Sequence, residues 1–314
     1  MPSFASGLVC DAWGRVRLGL FHIAPESCAG NGRNLLKAIA AVGVTTGLTL
    51  SLTNGATTTS AVSAIIQRSV EANTRDWNLQ TNFSHVERIV KNKIDVDEKV
   101  LSSGSKTYEI LMIDGSPYNQ LMAVNNEPLN HTQQQAERTK LDREITARRN
   151  ESPSDRRERI DRFKQERSDE HLLMQQMVAA FNFEQIGDER VQGMECYRFK
   201  ATPKFDYIPP VQKARVLKGM HGQMWIDKQK YQWVKVQAEV TEPVSFGFFI
   251  AKVNPGTRFE LQQAQFGQYW LPKYFIQTVR ASVLGLYGFR SQEETFYSDY
   301  RQLKSHTTEK VSMQ

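Results

Sequence analysis

The sequence predicts a mainly β protein: one large antiparallel curled sheet, an incomplete β-barrel, with a helical insert serving as a lid. Three observations predict it. Apolar and polar residues alternate with a period of two along several segments. In Tyr231 to Val240, for example, Val234, Val236, Ala238 and Val240 read onto one face, and Lys235, Gln237 and Glu239 onto the other. Turn pairs such as Asp114-Gly115 and Asn125-Asn126 separate neighbouring apolar runs, as in an antiparallel meander. Strands do not alternate with helices in the way a parallel sheet requires.

Residues 1–60 read as an N-terminal extension plus an export signal. Arg33 and Lys37 precede an apolar run from Ala38 to Leu50, and small and polar residues follow through Ala56. Positive, then apolar, then small is the order of a cleaved secretory signal, here near 33–56. The run is shorter than the ~20 residues that span a bilayer. A folded domain is expected over 61–303, with a charged helical insert at 131–181 and a flexible tail at 304–314. Of the three cysteines, Cys10 and Cys28 fall in the extension, so Cys196 stands alone in the domain and reads as a small buried residue.

Along the domain, Ala61 to Ala72 predicts a short helix with Ile65, Ile66, Ser69 and Val70 on one face. Strands are predicted from Trp77 to Phe83, through Val86 to Val90, from Thr107 to Ile113 and from Tyr118 to Val124. Lys99 to Ser105 reads as a turn-rich break. From His131 to Glu170 about half the residues are charged, with both signs mixed, and the spacing fits helical charge pairs. Ser152 and Pro153 fit the cap and first position of a second helix through Ile160 and Phe163, and a third, apolar helix follows from Leu172 to Phe181. Beyond Phe183 the β pattern returns: Met194–Ala201, His221–Asp227, Tyr231–Val240, Val244–Val253, Thr257–Phe266, Tyr269–Val283 and Glu293–Tyr300.

Chemistry-bearing motifs are lacking. There is no metal-binding histidine pair at helical spacing, no nucleophile elbow, no phosphate loop and no dinucleotide fingerprint. A histidine beside Glu87 or Glu170 reads as a surface residue. Asp95, Asp97 and Glu98 resemble part of a calcium loop, lack its remaining ligands and read as a turn. The arginines of the insert interleave with acids, whereas a nucleic-acid tracker needs an unbalanced basic stripe. The expectation is therefore no enzyme, no metal, no cofactor and no nucleic acid.

Four landmarks resemble the outer-membrane lipoprotein-sorting proteins of the LolA/LolB-like superfamily. Gly187 to Gly193 forms a G-x-E-x-x-x-G turn into a strand that ends near Pro203-Lys204. Gly222-Gln223-Met224-Trp225-Ile226-Asp227 is similar to a G-x-x-W-I-D strand before a hairpin. Trp270-Leu271-Pro272-Lys273 is similar to a late W-L-P step, and Thr295 to Tyr300 to the closing strand. The resemblance covers roughly 61–303, although this chain is longer and its charged insert lies outside the minimal pattern. It implies an incomplete barrel under a helical lid, with an apolar cavity that takes acyl chains in the periplasm. The implied partner is a lipid or acylated lipoprotein, with transient membrane association. Alternation places Met224, Ile226, Val234, Val236, Phe246 and Phe248 as the expected cavity lining. The alternative reading is an envelope scaffold that docks a protein partner on the charged insert.

Overall fold

Residues that tolerate left-handed backbone set the hairpins. Asp114-Gly115, Asn125-Asn126 and Gln192-Gly193 all have positive φ, with Asn125 at 51° and Asn126 at 65°. Such pairs give the tight turns whose twist matches that of the flanking strands. This computed structural model describes residues 53–246, 251–283 and 287–303. The expected export signal up to residue 52, Cys10, Cys28, Phe248 and the tail from 304 lie outside them. The chain divides into two compact units, Met1–Ala61 and Val62–Gln314.

The first described element is α1 (Thr53–Leu79). Next come β1 (Phe83–Ile94), β2 (Val100–Ile113), β3 (Ser116–Val124) and the two-residue β4 (Glu127–Pro128). Two helices follow, α2 (His131–Asn150) and α3 (Pro153–Ala180). Then come β5 (Phe181–Val191), β6 (Met194–Pro203), β7 (Met220–Asp227) and β8 (Trp233–Val240). The rest is β9 (Val244–Phe246), β10 (Ala251–Val253), β11 (Arg258–Phe266), β12 (Tyr269–Val283) and β13 (Tyr287–Gln302). No described helix is long and apolar enough to cross a membrane.

The strands form one antiparallel sheet in the order β4-β3-β2-β1-β13-β12-β11-β8-β7-β6-β5, with β9 and β10 attached beside β12. The mainly β, curled and unclosed sheet is therefore the observed architecture. The α2–α3 pair carries the chain from one edge of the sheet to the other. The sheet curls enough for hairpin tips to reach distant strands. Glu98, in the β1–β2 turn, bonds Arg258 of β11 and Arg280 of β12 at 2.5–2.7 Å. Gln192, in the β5–β6 turn, donates to the Gln263 carbonyl of β11 at 3.3 Å.

Several boundaries differ from the sequence reading. Trp77 to Leu79 continues α1, because Trp77 stacks on His171 of α3 at 5.6 Å and carries Arg167 on its ring at 4.5 Å. Lys99 to Ser105 is a break only at its start. From Val100 onward it is strand, paired to β1 as Ser103↔Asn92 and Ser105↔Val90. The two helices expected over 153–181 are one, and Phe181 already belongs to β5. Ser152 does cap that helix, accepting from the Asp155 N–H at 3.2 Å, with Pro153 in the first turn. The single strand expected at 244–253 is the β9–β10 pair, folded back on itself with Phe246 opposite Ala251.

Candidate functional site

The sheet packs one face against helices. Phe199, Met224, Ile226, Trp233 and Val236 form a buried cluster with Val62 and Ile66 of α1, and Met174, Met177 and Val178 of α3 pack against it. Polar bonds fasten α1 to this face. The Trp233 indole N–H donates to Ser69 Oγ at 3.1 Å. Asp76 accepts from the Gln232 amide at 2.8 Å and the Trp270 backbone N–H at 3.0 Å. Burial pushes the Asp76 carboxyl up, and the Trp270 N–H opposes the shift.

The predicted lining residues separate in space. Met224, Ile226 and Val236 sit together in the helix-covered cluster. Val234 does not join them; it packs with Cys196, Trp225 and Trp270 on the opposite face. The cause is an irregularity in the β7–β8 register, where Trp225 pairs with Lys235 but Ile226 with Trp233. One extra residue in β8 reverses the facing of Val234, which simple alternation could not foresee. Phe246 lies on β9, and Phe248 lies outside the described residues.

Clefts open on the sheet. Tyr274 of β12 and Arg88 of β1 are register partners of Phe296 on β13, and each touches its ring. The larger cleft has a volume of about 920 Å³ and spans β1, β2, β3, β11, β12 and β13. Val86, Met122, Phe266, Leu271, Pro272 and Tyr300 supply its apolar surface. Phe83 backs it, edge-on to Phe266 and to Tyr300. Its charges are Lys273, Asp299 and the ion pair of Arg301 with Glu109. Met122 is 45 % and Phe266 43 % exposed, so this apolar surface faces solvent. The smaller cleft, about 630 Å³, mixes polar side chains such as Lys200, Gln223, Gln237 and Glu260 with Phe259, Tyr274 and Ile276.

The titratable groups are mostly structural. Cys196 is fully buried, and burial pushes its thiol up to about 11, so it holds its proton at neutral pH. Two histidines expected on the surface are not there. His85 Nε2 lies 2.9 Å from Glu87, whose carboxylate is buried. His171 is buried against Trp77, and burial lowers its pKa. Sequence spacing could not show this, since both rings are covered by residues far along the chain. Asp95 is the turn residue expected, with Oδ1 accepting from the N–H groups of Asp97 and Lys99 at 2.9 Å. Among the described residues no group of three or more His, Cys, Asp or Glu is placed to hold a metal ion.

The sequence matches no protein-family profile and no curated protein. The chain is similar to LolA-superfamily structures. One is a putative outer membrane lipoprotein-sorting protein domain from Vibrio parahaemolyticus, at 10% identity over 79% of this chain and 95% of that one, with a TM-score of 0.30. Another is a LolA superfamily protein from Nitrosomonas europaea, at 9% identity over 77% of this chain and 92% of that one, TM-score 0.29. A DUF1329 family protein from Desulfovibrio piger shares 12% identity over 82% of this chain and 95% of that one, TM-score 0.30. The likeness is broad in coverage and shallow in superposition.

Proposed function

We propose that this chain is a non-catalytic binder of a lipid, or of the acyl chain of a lipoprotein, acting in the periplasm. The observation that carries the reading is the preformed cleft of about 920 Å³ with an apolar, partly solvent-facing wall. Ligand sites run from about 300 to 1,000 Å³ and combine apolar walls with a few charged groups. Each methylene taken from water contributes about 0.8 kcal/mol, so one acyl chain supplies the affinity without covalent chemistry. Lys273 at the cleft rim is the cation left for a carboxylate or phosphate headgroup, since Arg301 is taken by Glu109. The four sequence landmarks that resemble those of lipoprotein-sorting proteins point the same way.

The helix-covered cluster of Met224, Ile226 and Val236 is a second place for an acyl chain. It requires α1 and α3 to lift, because those side chains are at most 7% exposed. Methionines on both sides of that seam, Met224 against Met174 and Met177, make it a deformable one.

The test is uptake of a fluorescent fatty acid by the purified protein. Met122→Asp and Phe266→Asp place charge on exposed positions, the second beside the buried Phe83, so each variant's fold is checked by circular dichroism first. Each is expected to weaken uptake by about tenfold or more, the loss of one side chain's apolar contact. Unchanged uptake by both folded variants removes the cleft and leaves the seam beneath the helices. No uptake by the unaltered protein removes the lipid reading altogether.

A further inference from the structure

The loop after β6 holds two large apolar side chains in water. Phe205 is 99% and Ile208 85% exposed, and Val211 beyond Pro209-Pro210 is exposed as well. Such exposure on a slack loop would mean little, but this loop is fastened. The Lys204 backbone N–H donates to the Ala180 carbonyl at 2.8 Å, and Lys204 Nζ donates to the Val178 carbonyl at 3.0 Å. Between the two exposed residues Tyr207 turns inward, 6% exposed, and its hydroxyl bonds Gln176 of α3 at 3.1 Å. The Tyr207 N–H closes the turn onto the Lys204 carbonyl. On the far side, Ala214, Val216 and Leu217 are buried, and Lys213 pairs with Asp169 of α3 at 2.5 Å. The backbone is anchored at both ends and in the middle, so Phe205 and Ile208 are presented rather than stray.

The surroundings identify what they are presented to. Lys213 is paired and Lys204 is turned in to the Val178 carbonyl, so the segment from 204 to 218 offers Arg215 and Lys218 against the single acid Asp206. Arg215 and Lys218 are exposed. A stable protein interface buries about 800 Å² per partner around a packed apolar centre. Here three exposed apolar side chains lie within seven residues, with the exposed Arg215 and Lys218 following in the chain, too few for such a centre. An apolar tip that enters the acyl boundary while flanking cations meet headgroups is the arrangement of an interfacial anchor.

We propose that the 204–218 loop is a membrane-surface anchor, which inserts Phe205 and Ile208 into an anionic bilayer. This rests on the loop alone and stands whether or not the cleft binds lipid. Phe205→Trp in the full chain reads the contact where it occurs, because the added emission is the difference from the unaltered protein with its five tryptophans. Val96→Trp, at the exposed β1–β2 tip, is the control position. With phosphatidylglycerol–phosphatidylcholine vesicles, the emission added at position 205 is expected to shift to the blue. Bromination of the acyl chains should remove most of it, while the emission added at 96 stays unquenched. Raising salt from about 0.1 to 0.5 M should weaken the effect several-fold. No quenching at 205, or equal quenching at 96, overturns the anchor. Equal quenching on pure phosphatidylcholine overturns the anionic preference.

Discussion

Arg148 shows how one side chain sets the position of a helix. It is 6% exposed, and its guanidinium donates to the carbonyls of Ile113, Ser116 and Pro117 at 2.7–3.2 Å while bonding Glu144 one turn earlier. It thereby pins the end of α2 to the β2–β3 turn. Arg148→Met leaves three buried carbonyls without that donor, and is expected to cost about 2–4 kcal/mol in denaturant unfolding. Val236 carries the opposite lesson. In a sequence reading it is a ligand contact. In the structure it packs with Met224 and Ile226 under α1. Val236→Glu buries a carboxylate among apolar groups and should lower stability by about 3 kcal/mol or more. An assay for lost binding at that position would read unfolding instead.

At the scale of elements, capping chemistry and packing divide the work. α2 starts with a capping box, Asn130 and Gln133 each accepting from the other's backbone N–H. α3 starts on Ser152. Ser152→Ala should cost about 1 kcal/mol, seen as faster hydrogen exchange in the first turn of α3 while the sheet keeps its protection. The charged insert is no free arm in this fold. Arg159 bonds the Asp114 carbonyl and Ser116 Oγ, so the α2–α3 junction is tied to the sheet. Deleting the insert would cut the connection between β4 and β5. A docking role for its charges is tested by reversing exposed ones such as Arg157 and Arg162.

For the whole molecule, the curl is secured by contacts between residues that are remote in sequence. Glu98 joins the β1–β2 turn to β11 and β12 through Arg258 and Arg280, and these hydrogen bonds hold its carboxyl at about 2, below the ordinary 4.5. A lowered folded-state pKa means that the stabilisation is fully present above pH 4.5 and fades as pH falls through 2. Glu98→Gln should therefore cost about 1–2 kcal/mol at neutral pH and almost nothing near the acid limit. A constant cost across that range would mean that the charge of Glu98 is not what ties the turn down.

The sequence by itself determined the β class, the antiparallel hairpins, the turns at Asp114-Gly115 and Asn125-Asn126 and the start of α3, whereas the turn expected from Gly187 to Gly193 is strand as far as Val191. These depend on neighbours: a two-residue period, left-handed turn residues and a cap with its proline are local properties of the chain. Alternation put Met224, Ile226 and Val236, expected to line a cavity, on one face, and they do sit together. Tertiary structure alone decided the rest. The β8 irregularity turned Val234 to the far face, and pairing with β1 made a strand of the serine-rich run after Lys99. Contact with α3 kept Trp77 helical. The apolar cleft draws its walls from six strands far apart in sequence, and the exposure of Phe205 and Ile208 depends on Tyr207 reaching α3. Local pattern records which residues prefer burial; only the packing of distant segments decides which face is covered and which is left to meet a ligand or a membrane.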